Sequence, residues 1–175
     1  GDTIDYSALG ATRAIDVNLG ITSDTAGYTA VSTVTVTNGT IDYIKNIENI
    51  TGGAGNDIIR GDQFNNILRG GAGNDTLSGG AGNDELYGGI GQDTADYSGV
   101  TTGVGIIVDL SATTEVLEDG YGNQDQLDSI EVVIGSNNDD RFTGNDANNT
   151  FIGGDGYDRF YGSKGNDVFY SGSLD

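Results

Sequence analysis

Residues 52–96 read GGAGNDIIR, GDQFNNILR, GGAGNDTLS, GGAGNDELY and GGIGQDTAD, five nonapeptides in unbroken register that start at 52, 61, 70, 79 and 88. Four further units start at 135, 144, 153 and 162 and read GSNNDDRFT, GNDANNTFI, GGDGYDRFY and GSKGNDVFY. The shared pattern is Gly-Gly-x-Gly-x-Asp-x-U-x, where U is a large apolar residue. Because the nine units cover nearly half of the chain, this repeat decides the architecture.

Each unit divides into a turn and a very short strand. The first six positions are mostly Gly, Asn and Asp, which accept left-handed backbone angles and form tight turns. Two units are expected to close one coil of 18 residues, so that units i and i+2 stack with the U side chains pointing inward. The U positions are Ile59, Leu68, Leu77, Leu86, Ala95, Phe142, Phe151, Phe160 and Phe169. The Phe ladder is interpreted as a filled core, with a ligand-stacking platform as the alternative.

The composition excludes several classes of protein. The chain has 175 residues, 27 acidic and 7 basic side chains and a formal net charge of −20, a length that fits one domain or two small ones. This charge argues against nucleic acid or an anionic membrane surface as a direct partner. The chain contains neither Cys nor His, which excludes disulfides, thiolate metal sites and the usual general base. No apolar run reaches the length of a membrane helix, so no direct membrane insertion is predicted.

A longer period is superimposed on the nonapeptides. The pattern Asp-Thr-x-Asp-Tyr-Ser occurs at 2–7 and again at 93–98, an offset of 91, and Ile47-Glu48 recurs as Ile130-Glu131 at an offset of 83. The sequence is therefore two copies of one unit, and because it has no Met we interpret it as a fragment of a longer protein. The predicted segments are a strand-rich region 1–51, a repeat block 52–96, a second strand-rich region 97–134 and a second block 135–175. Whether the two blocks form one roll is left open.

The segments between the blocks also predict strands. Residues 14–19 and 105–110 alternate or run apolar over strand length. Residues 29–37 and 40–44 flank Asn38-Gly39, which is a strong hairpin signal. No segment combines helical periodicity with caps, so the predicted fold class is all-β.

The nonapeptide strongly resembles the repeat of the RTX (haemolysin-type calcium-binding) family. The resemblance implies two parallel β-roll blocks in which each Ca²⁺ lies between the loops of units i and i+2. In the family, the ligands are the position-6 carboxylates and the carbonyls of positions 1 to 4. Such oxygen ligands suit calcium, a hard cation that takes six to eight of them. We expect between four and eight ions in this chain.

Mapped onto this sequence, the resemblance implies three groups of metal ligands. The odd units of the first block supply Gly52, Gly53, Ala54, Gly55, Asp57, Gly70, Gly71, Ala72, Gly73, Asp75, Gly89, Gly91 and Asp93. Its even units supply Asn66, Gly79, Gly80, Ala81, Gly82 and Asp84. The second block supplies Gly135, Asn137, Asp140, Gly153, Gly154, Asp155, Gly156, Asp158, Gly162, Gly165 and Asp167.

Several positions depart from the pattern. Asn66 and Asn149 each replace a carboxylate, which predicts weaker sites, and Asn149 is therefore left out of the ligand set. Position 4 is Phe64, Asn138 or Ala147 in three units, and the loops at 52 and 70 are the best-formed pair. The alternative for all these Asp residues is a solvated turn without an ion. Asp119, Asn123, Asp125 and Asp128 form either an additional site or a plain acidic loop.

The resemblance implies a bacterial protein that a type I system exports unfolded and that folds on meeting external calcium. The main interpretation is a structural, secretion-assisting module of a larger secreted or surface protein, such as an adhesin, a surface-layer protein or a secreted enzyme. The alternative is a module that binds a polysaccharide or a cell surface. Arg141 and Arg159, 18 residues apart, either hold an anionic sugar or neutralise neighbouring Asp residues. Intrinsic catalysis is not expected, because no nucleophile or acid–base motif is present.

Overall fold

The computed structural model describes residues 1–20, 32–36, 41–44, 47–111 and 115–172. Every regular element in these ranges is a β-strand, so the predicted all-β class is confirmed there. The strands are β1 Thr3–Asp5, β2 Ile15–Asn18, β3 Ser32–Val36, β4 Ile41–Ile44, β5 Asn49–Thr51, β6 Ile58–Arg60, β7 Ile67–Ala72, β8 Thr76–Ser78, β9 Glu85–Ile90, β10 Thr94–Asp96, β11 Ile107–Asp109, β12 Glu115–Glu118, β13 Gln124–Asp128, β14 Val132–Ile134, β15 Arg141–Thr143, β16 Thr150–Ile152, β17 Arg159–Tyr161 and β18 Val168–Tyr170.

The strands form two sheets, and consecutive nonapeptides alternate between them. One sheet has the order β1-β5-β7-β9-β13-β12-β11-β15-β17, and the other has the order β18-β16-β14-β10-β8-β6-β2-β3-β4. Units i and i+2 pair in parallel, with Ile59 opposite Leu77 in one sheet and Leu68 opposite Leu86 in the other. This register is the 18-residue coil that the sequence predicts, and it confirms the parallel roll.

The apolar U side chains fill the space between the two sheets. Ile59, Leu68, Leu77 and Leu86 are fully buried, as are Phe142 and Phe151. The rings of Phe142 and Phe151 have centroids 5.2 Å apart, and Phe142 stacks on Phe160 at the same separation. Burying each such side chain stabilises the fold by about 1.5–3 kcal/mol. The Phe ladder is thus part of the core where the roll continues on both sides of it.

The two repeat blocks belong to one continuous roll. Strand β10, the last of the first block, pairs in parallel with β14, and β14 pairs in parallel with β16 of the second block. Strand β1 likewise pairs with β5, which pairs with β7. Strands therefore pair across each of the predicted segment boundaries, and the division into four segments remains a prediction about sequence type.

An antiparallel excursion interrupts the coil once in each copy. In the first copy β2, β3 and β4 pair antiparallel in that order, and in the second copy β11, β12 and β13 do the same. The predicted pairing of 29–37 with 40–44 is seen between β3 and β4, whereas its Asn38-Gly39 turn lies outside the described residues. Each excursion returns to the roll through a parallel pair, β2 with β6 and β11 with β15.

Candidate metal centre

The position-6 side chains form a ladder along one edge of the roll. The N–H of Asp57 donates to Oδ1 of Asp75 at 2.7 Å, and the N–H of Asp75 donates to Oδ1 of Asp93 at 2.8 Å. The ladder ends on Glu131, whose Oε2 accepts from the N–H of Asp93 at 2.9 Å. Each carboxylate is therefore fixed by the loop of the preceding coil, two units earlier in the roll.

The opposite edge carries a second ladder of the same design. The N–H of Asn66 donates to Oδ1 of Asp84 at 2.8 Å, and the N–H of Asp84 donates to Oδ1 of Asp125 at 2.9 Å. In the second block Asp158 accepts from Asp140 at 3.0 Å, and Asp167 accepts from Asn149 at 2.9 Å. The structure thus brings the position-6 residues together on the edges that the 18-residue period predicts.

The second carboxylate oxygen divides these residues into two groups. In the part of the chain that the structure describes, the buried Oδ2 atoms of Asp75, Asp84, Asp93 and Asp158 have no hydrogen-bond partner. Oδ2 of Asp57 instead accepts from the N–H of Gly53, and Oδ2 of Asp140 from the N–H of Ser136, both at 2.7 Å. A buried carboxylate oxygen without a donor is costly unless a cation meets it. The first group is therefore equipped to bind a metal ion.

The loops stack closely enough to supply carbonyl oxygens beside these carboxylates. Gly73 has φ +124°, and a Cβ placed on it would collide with the carbonyl oxygen of Gly55. Gly91 stands in the same relation to the carbonyl oxygen of Gly73. Within their own loops, Gly70 and Gly79 lie against Oδ2 of the position-6 Asp. The space that a Cβ would fill is thus lined by oxygen atoms.

The predicted loop residues lie in these stacked turns. The turns 52–57, 70–75 and 88–93 follow one another on one edge, and 61–66 and 79–84 on the other. The turns 135–140 and 153–158 stack in the second block, as do 144–149 and 162–167. Gly52, Gly53, Gly55, Gly70, Gly79, Gly135, Gly153 and Gly154 are buried, whereas Asp155, Gly156, Gly165 and Asn137 are exposed.

The units without Gly at position 4 stack in the same way. Gly82 lies against the backbone of Phe64, Gly156 against that of Asn138 and Gly165 against that of Ala147. The Phe64 ring is 61% exposed, so it points away from the stack. The backbone of these loops keeps the repeat geometry although their sequence departs from the pattern.

Burial and mutual repulsion make the carboxylates reluctant to ionise without a cation. Burial, together with repulsion from Asp57 and Asp93, raises the pKa of Asp75 to about 6. Burial and nearby carboxylates raise the pKa of Asp84 to about 7, and the same causes raise that of Asp125 to about 7. Burial also raises the pKa of Asp93 and Asp158. A divalent cation would remove this penalty, because it stabilises the ionised form.

Two ladder residues were not among the predicted ligands. Asp125 and Glu131 lie in the strand-rich region, yet each accepts the N–H of a position-6 Asp as the next nonapeptide would. The signal that could have found Glu131 was the recurrence of Ile47-Glu48 as Ile130-Glu131, and the model repeats it: Glu48 accepts the N–H of Asp2 at 2.6 Å. Both excursions therefore return to the ladder in register.

The acidic loop beyond the first block is brought to the second ladder in part. Asp119 is fully buried and its Oδ1 accepts from the N–H of Asn123 at 2.9 Å, while Oδ1 of Asn123 accepts from Gly82 at 3.3 Å. Asp128 instead accepts from the hydroxyl of Ser129. Across the described ranges no three acidic side chains converge closely enough to hold an ion by themselves. An ion in this roll would therefore need backbone carbonyls as well as carboxylates.

Comparison with known families agrees with this geometry. The profile of the RTX calcium-binding nonapeptide repeat matches four times, at residues 49–68, 60–95, 128–159 and 143–174, together more than half of the chain. This chain belongs to that family. A search of curated proteins found no match. The resemblance inferred from the repeats is thereby confirmed, and the module is a calcium-binding one.

The RTX repeats present donors that fit Ca²⁺. Oδ2 of Asp75, Asp84, Asp93 and Asp158 would supply the carboxylate ligands, and the carbonyls of the adjoining glycine-rich turns would supply the neutral ones. The number of ions remains a prediction of four to eight. Within the described residues there is no helix of the length and apolarity needed to cross a membrane.

The stacking of the turns predicts a difference between two glycines that both have positive φ. Gly73→Ala would place a methyl group against the carbonyl of Gly55, whereas Gly103, at φ +82°, has no atom within 4 Å of the corresponding position. We expect Gly73→Ala to lower calcium affinity at least about tenfold, because the loop must move by more than a ligand bond tolerates. Gly103→Ala is the control for backbone strain alone. Isothermal titration calorimetry with Ca²⁺ measures both, and equal affinities would contradict the stacked-loop site.

The raised pKa values predict opposite responses to acid with and without calcium. In the calcium-free fold Asp75 binds a proton below about pH 6 and Asp84 below about pH 7, whereas in the unfolded chain both pKa values lie near 3.8. Their protonation therefore stabilises the calcium-free fold in acid, and this contribution is lost as the pH rises through about 6 to 7. Calcium competes with these protons, so acidification lowers calcium affinity.

Circular dichroism and calorimetry at about pH 5 and about pH 8 check both responses. We expect more β signal at the lower pH in chelator, and weaker calcium binding at that pH. A chelated chain that loses structure on acidification would contradict the assignment of the ladder carboxylates.

Proposed function

We propose that this calcium-binding module is a folding switch. In the calcium-poor cytoplasm it stays largely unfolded, and it folds when export brings it to external calcium. The observation that carries the proposal is the group of buried Oδ2 atoms without a partner on Asp75, Asp84, Asp93 and Asp158. The interior that the U side chains build lies directly behind these carboxylates, so one process cannot be completed without the other.

The magnitudes support a switch near extracellular calcium concentrations. A site with [Ca²⁺] at ten times Kd stabilises the folded state by about 1.4 kcal/mol, and five such sites add about 7 kcal/mol. This is comparable with the net stability of a whole domain. Extracellular calcium modules often have Kd values near about 10⁻⁴–10⁻³ M. The same ions would offset much of the net charge of −20.

The proposal places the module in a larger bacterial protein that is secreted or held at the cell surface. Its role there is structural: the unfolded form suits passage through a type I exporter, and the folded form is a rigid roll. We assign no catalytic step to it, since the sequence lacks His and Cys and the ladder carboxylates are occupied in holding the loops.

Removal of calcium is the test of the switch. In millimolar Ca²⁺ the far-ultraviolet circular dichroism spectrum is expected to be that of β structure, and in excess EGTA that of a largely unfolded chain. The variant Asp75→Asn is expected to need more calcium at the midpoint, while Asp16→Asn on the exposed side of β2 serves as the control with the same charge change. A β spectrum that persists in EGTA near neutral pH would contradict the proposal.

A second candidate function is suggested by the outer face of β15 and β17. Arg141 and Arg159 lie opposite each other in register, and the guanidinium carbon of Arg141 lies 5.6 Å from the centroid of the Tyr161 ring. Tyr161 is 52% exposed. Among the described residues neither arginine forms an ion pair with a carboxylate, so neutralisation of neighbouring Asp residues does not account for them. Paired guanidinium groups beside a tyrosine suit an acidic polysaccharide.

Affinity electrophoresis in calcium with an acidic polysaccharide such as alginate tests this second function. Arg141→Ala is expected to weaken retardation about tenfold in Kd, a loss typical of a charged hydrogen bond. Arg60→Ala is the matched control, because Arg60 lies on the other sheet and pairs with Asp16 at 2.8 Å. Equal retardation of the two variants, or none of the native chain, would exclude this face as a glycan site.

A further inference from the structure

The two ends of the roll carry strands that pair on one side only within the described residues. At one end these are β17 and β18, which pair with β15 and β16. At the other end they are β1 and β4, which pair with β5 and β3. Edge strands of this kind present N–H and C=O groups that another strand can use.

The inside of the chain contains a junction at which the same four positions are joined. By the offsets of 83 and 91 residues, β17 and β18 correspond to β8 and β9, while β1 and β4 correspond to β10 and β13. In the interior β8 pairs in parallel with β10, and β9 pairs in parallel with β13. The end strands of the chain are thus the two halves of a contact that the fold already makes once.

The two copies agree closely enough for this correspondence to be structural. Thr3 lies opposite Asn49 as Thr94 lies opposite Val132, which preserves both offsets. The N–H of Asp2 donates to Glu48 as the N–H of Asp93 donates to Glu131. The N–H of Ile15 donates to Asp57 as the N–H of Ile106 donates to Asp140. Each copy therefore presents the same surface to the coil before it.

Exposure of apolar side chains distinguishes the end from the interior junction. Leu86 in β9 is fully buried, whereas Phe169 at the corresponding position of β18 is 43% exposed. Phe160 and Ile4 are partly buried, whereas their counterparts Leu77 and Ala95 are fully buried. The ends thus expose the apolar interior that a further coil covers in the middle of the roll.

We propose that a second copy of this chain docks head to tail on the first. Strand β17 of one copy would pair with β1 of the next, and β18 would pair with β4, in the registers of the interior junction. The same alignment places the N–H of Asp158 at the carboxylate of Asp2, as the N–H of Asp75 meets Asp93. Because this brings carboxylates together, the contact requires calcium. A head-to-tail contact leaves both outer ends open, so association continues beyond a dimer.

Analytical ultracentrifugation of the 175-residue chain in calcium tests the proposal against its 18.0 kDa monomer mass. The native chain is expected to form dimers and longer species as its concentration rises. Phe169→Asp blocks one end and Ile4→Asp blocks the other, so each variant alone stays monomeric. An equimolar mixture of the two has one intact pair of ends and forms a 1:1 dimer that grows no further.

Ile90→Asp is the matched control, because Ile90 is 77% exposed in the middle of the roll and the substitution adds the same charge. It is expected to associate like the native chain. Circular dichroism in calcium verifies that each variant folds, and Phe169→Ala replaces Phe169→Asp if the latter does not. A native chain that stays monomeric up to its solubility limit overturns the proposal, as does Ile4→Asp associating with itself. Association that persists unchanged in EGTA also overturns it.

Discussion

The constraint on which the rest of the structure depends is the stacking of carboxylates along the two edges of the roll. Each position-6 Asp accepts the N–H of the Asp or Asn one coil earlier, at 2.7 to 3.0 Å. This hydrogen bond sets the register of the turns, and it also turns the second oxygen toward the interior of the loop. The repulsion of the ladder and the close approach of glycine carbonyls have one shared remedy, a cation between the loops.

The core is organised around the same constraint. A nonapeptide contributes one large apolar side chain to the interior, so each coil gains little hydrophobic burial for the 18 residues it orders. The excursions β2–β4 and β11–β13 could have broken the roll, yet each returns through a parallel strand, and Glu48 and Glu131 take up the ladder where a nonapeptide is missing. Metal binding and core formation are consequently one process.

The repeat allowed the fold class, the 18-residue register and the edges of the position-6 residues to be predicted, because side-chain period and turn chemistry act locally. Continuity between the blocks could not be predicted, since it depends on β10 pairing with β14 across 35 intervening residues. The roles of Asp125 and Asp119 were equally hidden: their positions follow from where the antiparallel excursion returns. The unpartnered Oδ2 atoms distinguish Asp75 from Asp57, although their loops share the sequence GGAGND.

The account is tested most directly by anomalous diffraction at long wavelength from crystals grown in calcium. It predicts anomalous peaks within about 2.3–2.6 Å of Oδ2 of Asp75, Asp84, Asp93 and Asp158 and of the neighbouring glycine carbonyls. Ions bound only to exposed acidic side chains, with these four oxygen atoms left empty in a folded roll, would contradict it.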